Sequence, residues 1–286
     1  MKSVPARLFE FFIDGLWRLL PLDVASGFGA FLARIIALRF PRTTAATRGT
    51  LRSINPAYSE QELDGLLSRM WQSIGRVWAE SLIVDRLVKH RLNINGMEHL
   101  ISAKNSNRPI IVLFIHTGNW ELITPVLVAN NLLPHAPVEV QRRKLFDDLV
   151  TKKRKAYGLV VIPPTLAGTR KIFQCLERGH TLCLAIDEYK DDKVLGPLFG
   201  RKLPGPNNLE FALRLAKKFT AIMLPMHVSR PSGVNFELHI SPPIPSDALV
   251  SNEGLKRVKL DLENWSERMI RAHIDQWYML HRLRFH

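Results

Sequence analysis

The chain has 286 residues, 46% of them hydrophobic, enough to build the core of one large α/β domain or two small ones. A net charge of +14 and a pI of about 10.1 point to a polyanionic partner: nucleic acid, an anionic membrane surface or a phosphorylated substrate. The sequence holds no zinc-finger spacing, RNP-type aromatic motif or basic recognition helix, so nucleic acid is not the expected partner, and no linker or repeat divides the chain.

At the amino terminus, apolar side chains between Leu8 and Leu20 cover most of a helix and leave Glu10, Asp14 and Arg18 as a narrow polar stripe. A second apolar stretch, 28–38, is interrupted by Arg34 and flanked by Arg39 and Arg42. Neither reaches the roughly 18 uncharged residues of a spanning helix, and Glu10 and Asp14 spoil a signal-peptide core. Two readings stand: helices packed on the protein, or an anchor lying in the membrane interface with arginines near lipid phosphates.

From Glu60 to about His90, apolar residues from Leu63 through Trp78 recur every three or four positions, predicting a core-facing helix opened by a Ser59–Glu62 capping box. Strands are then predicted at 110–115, 138–141, 160–162, 181–186 and 221–228. Helices fit 120–130, 146–157, 169–177, 208–218 and 256–274, and the Pro-rich stretches 196–206 and 242–245 are loops. This alternation predicts an α/β fold: a mixed central sheet flanked by helices on both faces, after an apolar helical N-terminal region. Cys175 falls on a helix pattern and Cys183 on a strand pattern, so the thiols are expected to be buried and reduced, in a cytosolic setting.

The most informative stretch is Ile110 to Glu121, IIVLFIHTGNWE. An apolar run ends at His116, turns through Gly118 and Asn119, and offers Glu121 five residues on. A histidine at a strand end opens into a cleft, and a carboxylate holding one ring nitrogen frees the other as a general base. Two readings stand for these residues: a general-base pair of His116 with Glu121, or a turn histidine that caps the following helix. A zinc site is not expected, because His116 and Glu121 do not share a helical face and no His-Glu-x-x-His motif is present.

This segment resembles the H-x4-D/E signature of the glycerolipid acyltransferase superfamily, and its longer form resembles that of the lauroyl/myristoyl lipid A biosynthesis acyltransferases. Further blocks are similar in order: Gly179 to Asp187, the loop Gly196-Pro197-Leu198-Phe199-Gly200, the stretch 209–230 closing on Arg230, and Gln276 to Arg282. The chain departs from that pattern where Leu159 and Val160 stand in place of an arginine, a role open to Arg154 or Arg170. It departs again where Pro204-Gly205-Pro206-Asn207 replaces a Thr-rich segment.

The resemblance implies an O-acyltransferase, with residues 1–45 as a membrane-associating region and 46–286 as the catalytic domain. It would move a fatty acyl chain from acyl carrier protein or acyl-coenzyme A to a lipid A-type glycolipid at the cytoplasmic face of a bacterial inner membrane, with no cofactor. His116 would act as base and Glu121 as its orienter. Gly118, Asn119, Trp120, Arg154, Arg170, Asp187, Glu188 and Gly200 would line the substrate, the amides of 118–120 serving as oxyanion donors. The basic runs 141–144 and 152–155 suit an acidic carrier or a phosphorylated glycolipid. Two alternatives remain: a lysophospholipid or aminolipid acceptor, and a catalytically silent protein that binds membrane or nucleic acid. The intact His116/Glu121 pair speaks against the silent form.

Overall fold

A computed structural model of the chain describes residues 15, 17–138, 144–202 and 205–285. Most of the apolar segment expected between Leu8 and Leu20 therefore lies outside the described residues, as do Gln141, Arg142 and Arg143 and all of the strand expected at 138–141 except Val138.

Among the described residues the helices α1 (Leu22–Ala37), α2 (Pro41–Ile54), α3 (Glu60–Glu80) and α4 (Val84–Arg91) precede the sheet. Proline opens α2 at a position where its missing N–H costs nothing. The Ser59 capping box opens α3, with the hydroxyl accepting from the Glu62 amide and the Glu62 carboxylate accepting from the Ser59 amide. The single helix expected from Glu60 to His90 is broken at Ser81–Ile83. Trp17 Nε1 donates to the Ala79 carbonyl at 2.9 Å, which a continuing helix would offer to residue 83. The Ile83 amide turns instead to the Glu80 carbonyl.

The alternating portion follows: β1 (Leu92–Asn95), α5 (Met97–Asn105), β2 (Ile110–Phe114), α6 (Ile123–Ala129), β3 (Pro134–Pro137), α7 (Lys144–Ala156), β4 (Val160–Ile162), α8 (Leu166–Glu177), β5 (Thr181–Ala185), β6 (Tyr189–Lys190), β7 (Lys193–Val194), α9 (Asn208–Phe219), β8 (Ile222–Ser232), β9 (Asn235–Ile240) and α10 (Asn252–Ala272). Seven strands form one sheet in the order β1-β9-β8-β2-β5-β3-β4, with β6 and β7 a separate hairpin. From β8 to β4 all neighbours are parallel, while β9 runs against β8 and carries β1 alongside it. The expected mixed sheet is present, and β1, β9, α5 and the β6–β7 hairpin were not foreseen from the sequence.

Alternating side chains of β2 serve two cores. Ile111 and Leu113 pack with residues of α2, α3, α8, α9 and α10. Ile110 and Val112 pack with α4, α5 and α6 on the opposite face. Helices on both sides explain why β2 is apolar at every position rather than at every second one. Cys175 and Cys183 are buried free thiols, and burial pushes Cys175 up to about 12, well away from reactivity.

Candidate active site

Register brings the site together. In the β2–β5 pair Phe114 lies opposite Ala185, and the Ile186 amide extends the ladder to the Phe114 carbonyl at 2.9 Å. Two residues beyond each strand therefore stand side by side, and these are His116 and Asp187. Asp187 Oδ1 lies 2.8 Å from His116 Nδ1, and its Oδ2 accepts the His116 amide at 2.8 Å. Asp187 is fully buried, whereas the His116 side chain is 17% exposed. With Nδ1 donating to the carboxylate, Nε2 is the ring nitrogen left for chemistry. The pair sits outside the carboxyl ends of parallel strands, where the chain leaves β2 toward one side of the sheet and β5 toward the other, the usual place for a ligand in such sheets.

The expected role of Glu121 is corrected here: Asp187, not Glu121, holds the His116 ring. A 3-10 turn over Trp120–Leu122 places Glu121 toward α7, where Arg154 Nε donates to both its oxygens at 3.1 and 2.9 Å and Arg154 Nη2 adds a third bond. A buried carboxylate requires a cation or several donors, and Arg154 supplies them. Arg154 lies within α7 rather than after it, so no arginine occupies the position of Leu159 and Val160. Arg170 is exposed on α8 and takes no part in this pair.

Aromatic rings frame the imidazole. Trp120 meets it edge-on at 4.7 Å and Phe114 at 5.4 Å. Trp120 in turn lies 5.2 Å from Tyr278, whose amide donates to the His116 carbonyl at 2.8 Å. Gly118 adopts a φ of +57°, and a Cβ there would come within 2.6 Å of the Val228 carbonyl on β8, so glycine alone fits this turn.

Beneath the turn lies a carboxylate hub that the sequence did not reveal. Glu80 is fully buried at the end of α3. It accepts two bonds from Arg230 at 2.7 Å, one from Ser26 of α1 at 2.6 Å, and one from Asn119 Nδ2 at 3.0 Å. Asn119 Oδ1 then accepts the Glu121 amide at 3.2 Å. One buried anion therefore fixes the His116–Glu121 turn against β8 and α1. The available signal was an acid three residues after Val77 on the apolar stripe of α3. Among the described residues, no three His, Cys, Asp or Glu side chains are placed to hold a metal ion.

Residues 8–285 match the sequence model of a family described as bacterial lipid A biosynthesis acyltransferase. The chain belongs to that family. It is accordingly an acyltransferase of lipid biosynthesis. The chain is also similar to the crystal structure of the 1-acyl-sn-glycerophosphate (LPA) acyltransferase, PlsC, from Thermotoga maritima, at 15% identity and a TM-score of 0.44, over 88% of this chain and 95% of that one. Comparison with curated proteins finds no match.

Other residues of this acyltransferase fall at graded distances from the His116–Asp187 pair. Glu188 follows Asp187 directly. Burial raises its carboxyl to about 7, against a 2.7 Å bond from the Asn208 amide at the start of α9. Gly200 is an exposed loop glycine with φ +79°. Its neighbour Phe199 has its ring 5.7 Å from that of Trp277. His281 bonds the Tyr278 carbonyl at 2.8 Å and is lowered to about 4 by burial, so it serves as a neutral strut.

Proposed function

We propose that this acyltransferase moves a fatty acyl chain from a thioester of acyl carrier protein or coenzyme A to a hydroxyl of a lipid A-type glycolipid, at the cytoplasmic face of a bacterial inner membrane. The observation that carries the reading is the His116–Asp187 pair, in which a fully buried carboxylate holds Nδ1 and leaves Nε2 to face substrate.

An alcohol is a weak nucleophile until its proton is taken during attack. His116 Nε2 removes the proton of the acceptor hydroxyl as its oxygen bonds to the thioester carbonyl carbon, and Asp187 stabilises the resulting imidazolium. The tetrahedral oxyanion collapses, the C–S bond breaks, and the departing thiolate recovers the proton from His116. The products are an ester and a free thiol, with no covalent enzyme intermediate. Backbone amides of Gly118, Asn119 and Trp120 are the proposed oxyanion donors, each worth about 3–4 kcal/mol in such sites. Arg154, paired with Glu121, neutralises the turn and sets its orientation toward α7.

A peripheral or monotopic attachment is supported by the outer side of α1. Phe28, Phe31, Ile35 and Leu38 are exposed there with Arg34 and Arg39 among them, and Phe40 and Arg42 follow at the start of α2. No described helix is long and apolar enough to cross a membrane alone; only α1 and α2 pass such a test together, with a bend of 100° between them.

The test is transfer of labelled acyl chains by the purified protein, with mass spectrometry of the lipids. The expected result is one added acyl chain on lipid A precursors. Turnover should fall roughly a hundred- to ten-thousandfold in His116→Ala and in Asp187→Asn, with unchanged circular dichroism. Near-parental turnover in His116→Ala overturns the mechanism, and acylation confined to lysophospholipid or aminolipid overturns the acceptor.

A further inference from the structure

We propose that Trp277 is a positioning residue for acyl transfer, its indole N–H fixing the Asp187 carboxylate that orients His116. The inference rests on the reading of His116 as the base. Trp277 is among the largest fully buried side chains, and its Nε1 donates to Asp187 Oδ2 at 2.8 Å. That same oxygen accepts the His116 amide at 2.8 Å, while Oδ1 takes the His116 ring at 2.8 Å. Three donors thus define the plane of one carboxylate. Rotation about its Cβ–Cγ bond would break all three, so the plane that sets the imidazole is locked.

The next residue reinforces the arrangement. The Tyr278 amide donates to the His116 carbonyl at 2.8 Å, so the dipeptide Trp277-Tyr278 grips Asp187 through a side chain and His116 through the main chain. Tyr278 is itself held by the Trp78 indole, which donates to its hydroxyl at 3.2 Å. Asp187 is fully buried, where a lost donor leaves the anion to find another partner or turn. Trp277 also packs in the larger core beside Phe199, and a purely space-filling role would depend on its shape alone. The N–H separates the two roles.

The experiment replaces Trp277 site-specifically by 3-benzothienylalanine, which keeps the bicyclic shape and puts sulfur where the N–H was. It is compared with 7-azatryptophan, which keeps the N–H, and with Trp277→Phe. A donor to a buried anion of this kind corresponds to about ten- to a hundredfold in rate. The benzothienyl protein should therefore lose that much kcat, with KM for the acyl thioester within about threefold and circular dichroism unchanged. The azatryptophan protein should retain parental kcat, and Trp277→Phe should lose at least as much kcat as the benzothienyl form. Parental kcat in the benzothienyl protein overturns the proposal and leaves Trp277 as packing. If the benzothienyl protein fails to fold, a folded Trp277→Phe with parental kcat overturns it equally. His116→Ala in the same assay separates the two levels. Full turnover there removes the base reading and this inference together, whereas loss there with parental benzothienyl turnover removes the Trp277 role alone.

Discussion

At the residue scale, two groups with displaced protonation, Glu188 and His227, pull stability in opposite directions with pH. Glu188 has a folded value of about 7 against an ordinary 4.5, because burial penalises its charge. The unfolded carboxyl ionises first, so the folded state binds more protons between those values and stability falls as pH rises through the window. At about 1.4 kcal/mol per unit, that loss is on the order of 3 kcal/mol. Glu188→Gln should therefore melt near the parent at pH 4.5 and above it at pH 8. His227 shows the converse. Burial beside His239 and His273 lowers it to about 3 from 6.5, so stability is present above pH 6.5 and lost as pH falls. A His227→Phe variant should show a shallower loss of stability between pH 6.5 and 4. Parallel melting curves of variant and parent across both windows would overturn these assignments.

At the element scale, α7 carries the basic run that sequence alone treats as one surface. Its helical geometry divides that run. Leu149, Val150 and Lys153 are buried on the inner side, whereas Lys152 and Lys155 are exposed and Arg154 binds Glu121. Lys153 is therefore withdrawn from the surface expected to meet an acidic donor. The prediction narrows accordingly. Lys152→Glu with Lys155→Glu should raise KM for an acyl carrier protein thioester several-fold, leave kcat unchanged, and weaken the salt dependence expected of the parent. Equal kinetics in the reversed and parental proteins, with acyl-coenzyme A used as well as the carrier thioester, would remove the carrier from the scheme.

At the scale of the whole molecule, α1 is joined to α3 too closely to be a loose tether. A Cβ on Gly75 of α3 would come within 2.2 Å of the Gly29 carbonyl of α1, so the two backbones touch where both residues are glycine. Ser26 of α1 donates to the buried Glu80, which also holds Asn119 of the His116–Glu121 turn. An interface bound by the outer side of α1 would thus lie at a set height and angle relative to His116. Phe28 and Phe31 are about half exposed, so their removal should not unfold the protein. Since burying one such side chain is worth about 1.5–3 kcal/mol, Phe28→Ser with Phe31→Ser should weaken sedimentation with anionic vesicles at least about tenfold at an unchanged Tm. Parental vesicle binding in that double variant would assign membrane attachment to another surface.

Much of this is legible in the sequence, because local patterns act over a few residues. The apolar run into His116, the Ser59 capping box, Gly118 in the turn and the alternation of strands and helices all follow from propensity and burial period. The break at Ser81–Ile83 was not legible, since it depends on the Trp17 indole taking a helix carbonyl from 62 residues away. Nor were β1 and β9, short strands whose alternating burial leaves a weak apolar signal. The partner of His116 illustrates the division most clearly. Glu121 is near in sequence and has the right chemistry, but Asp187, 71 residues on, is near in space because β2 and β5 pair in parallel with Phe114 opposite Ala185. Sequence by itself determined which residue types stand at the strand ends and hence that acid–base chemistry is available there. Only the tertiary structure decided which carboxylate holds the histidine, which binds Arg154 and which is buried beneath the turn, because strand register, unlike local propensity, is set by the packing of the whole sheet.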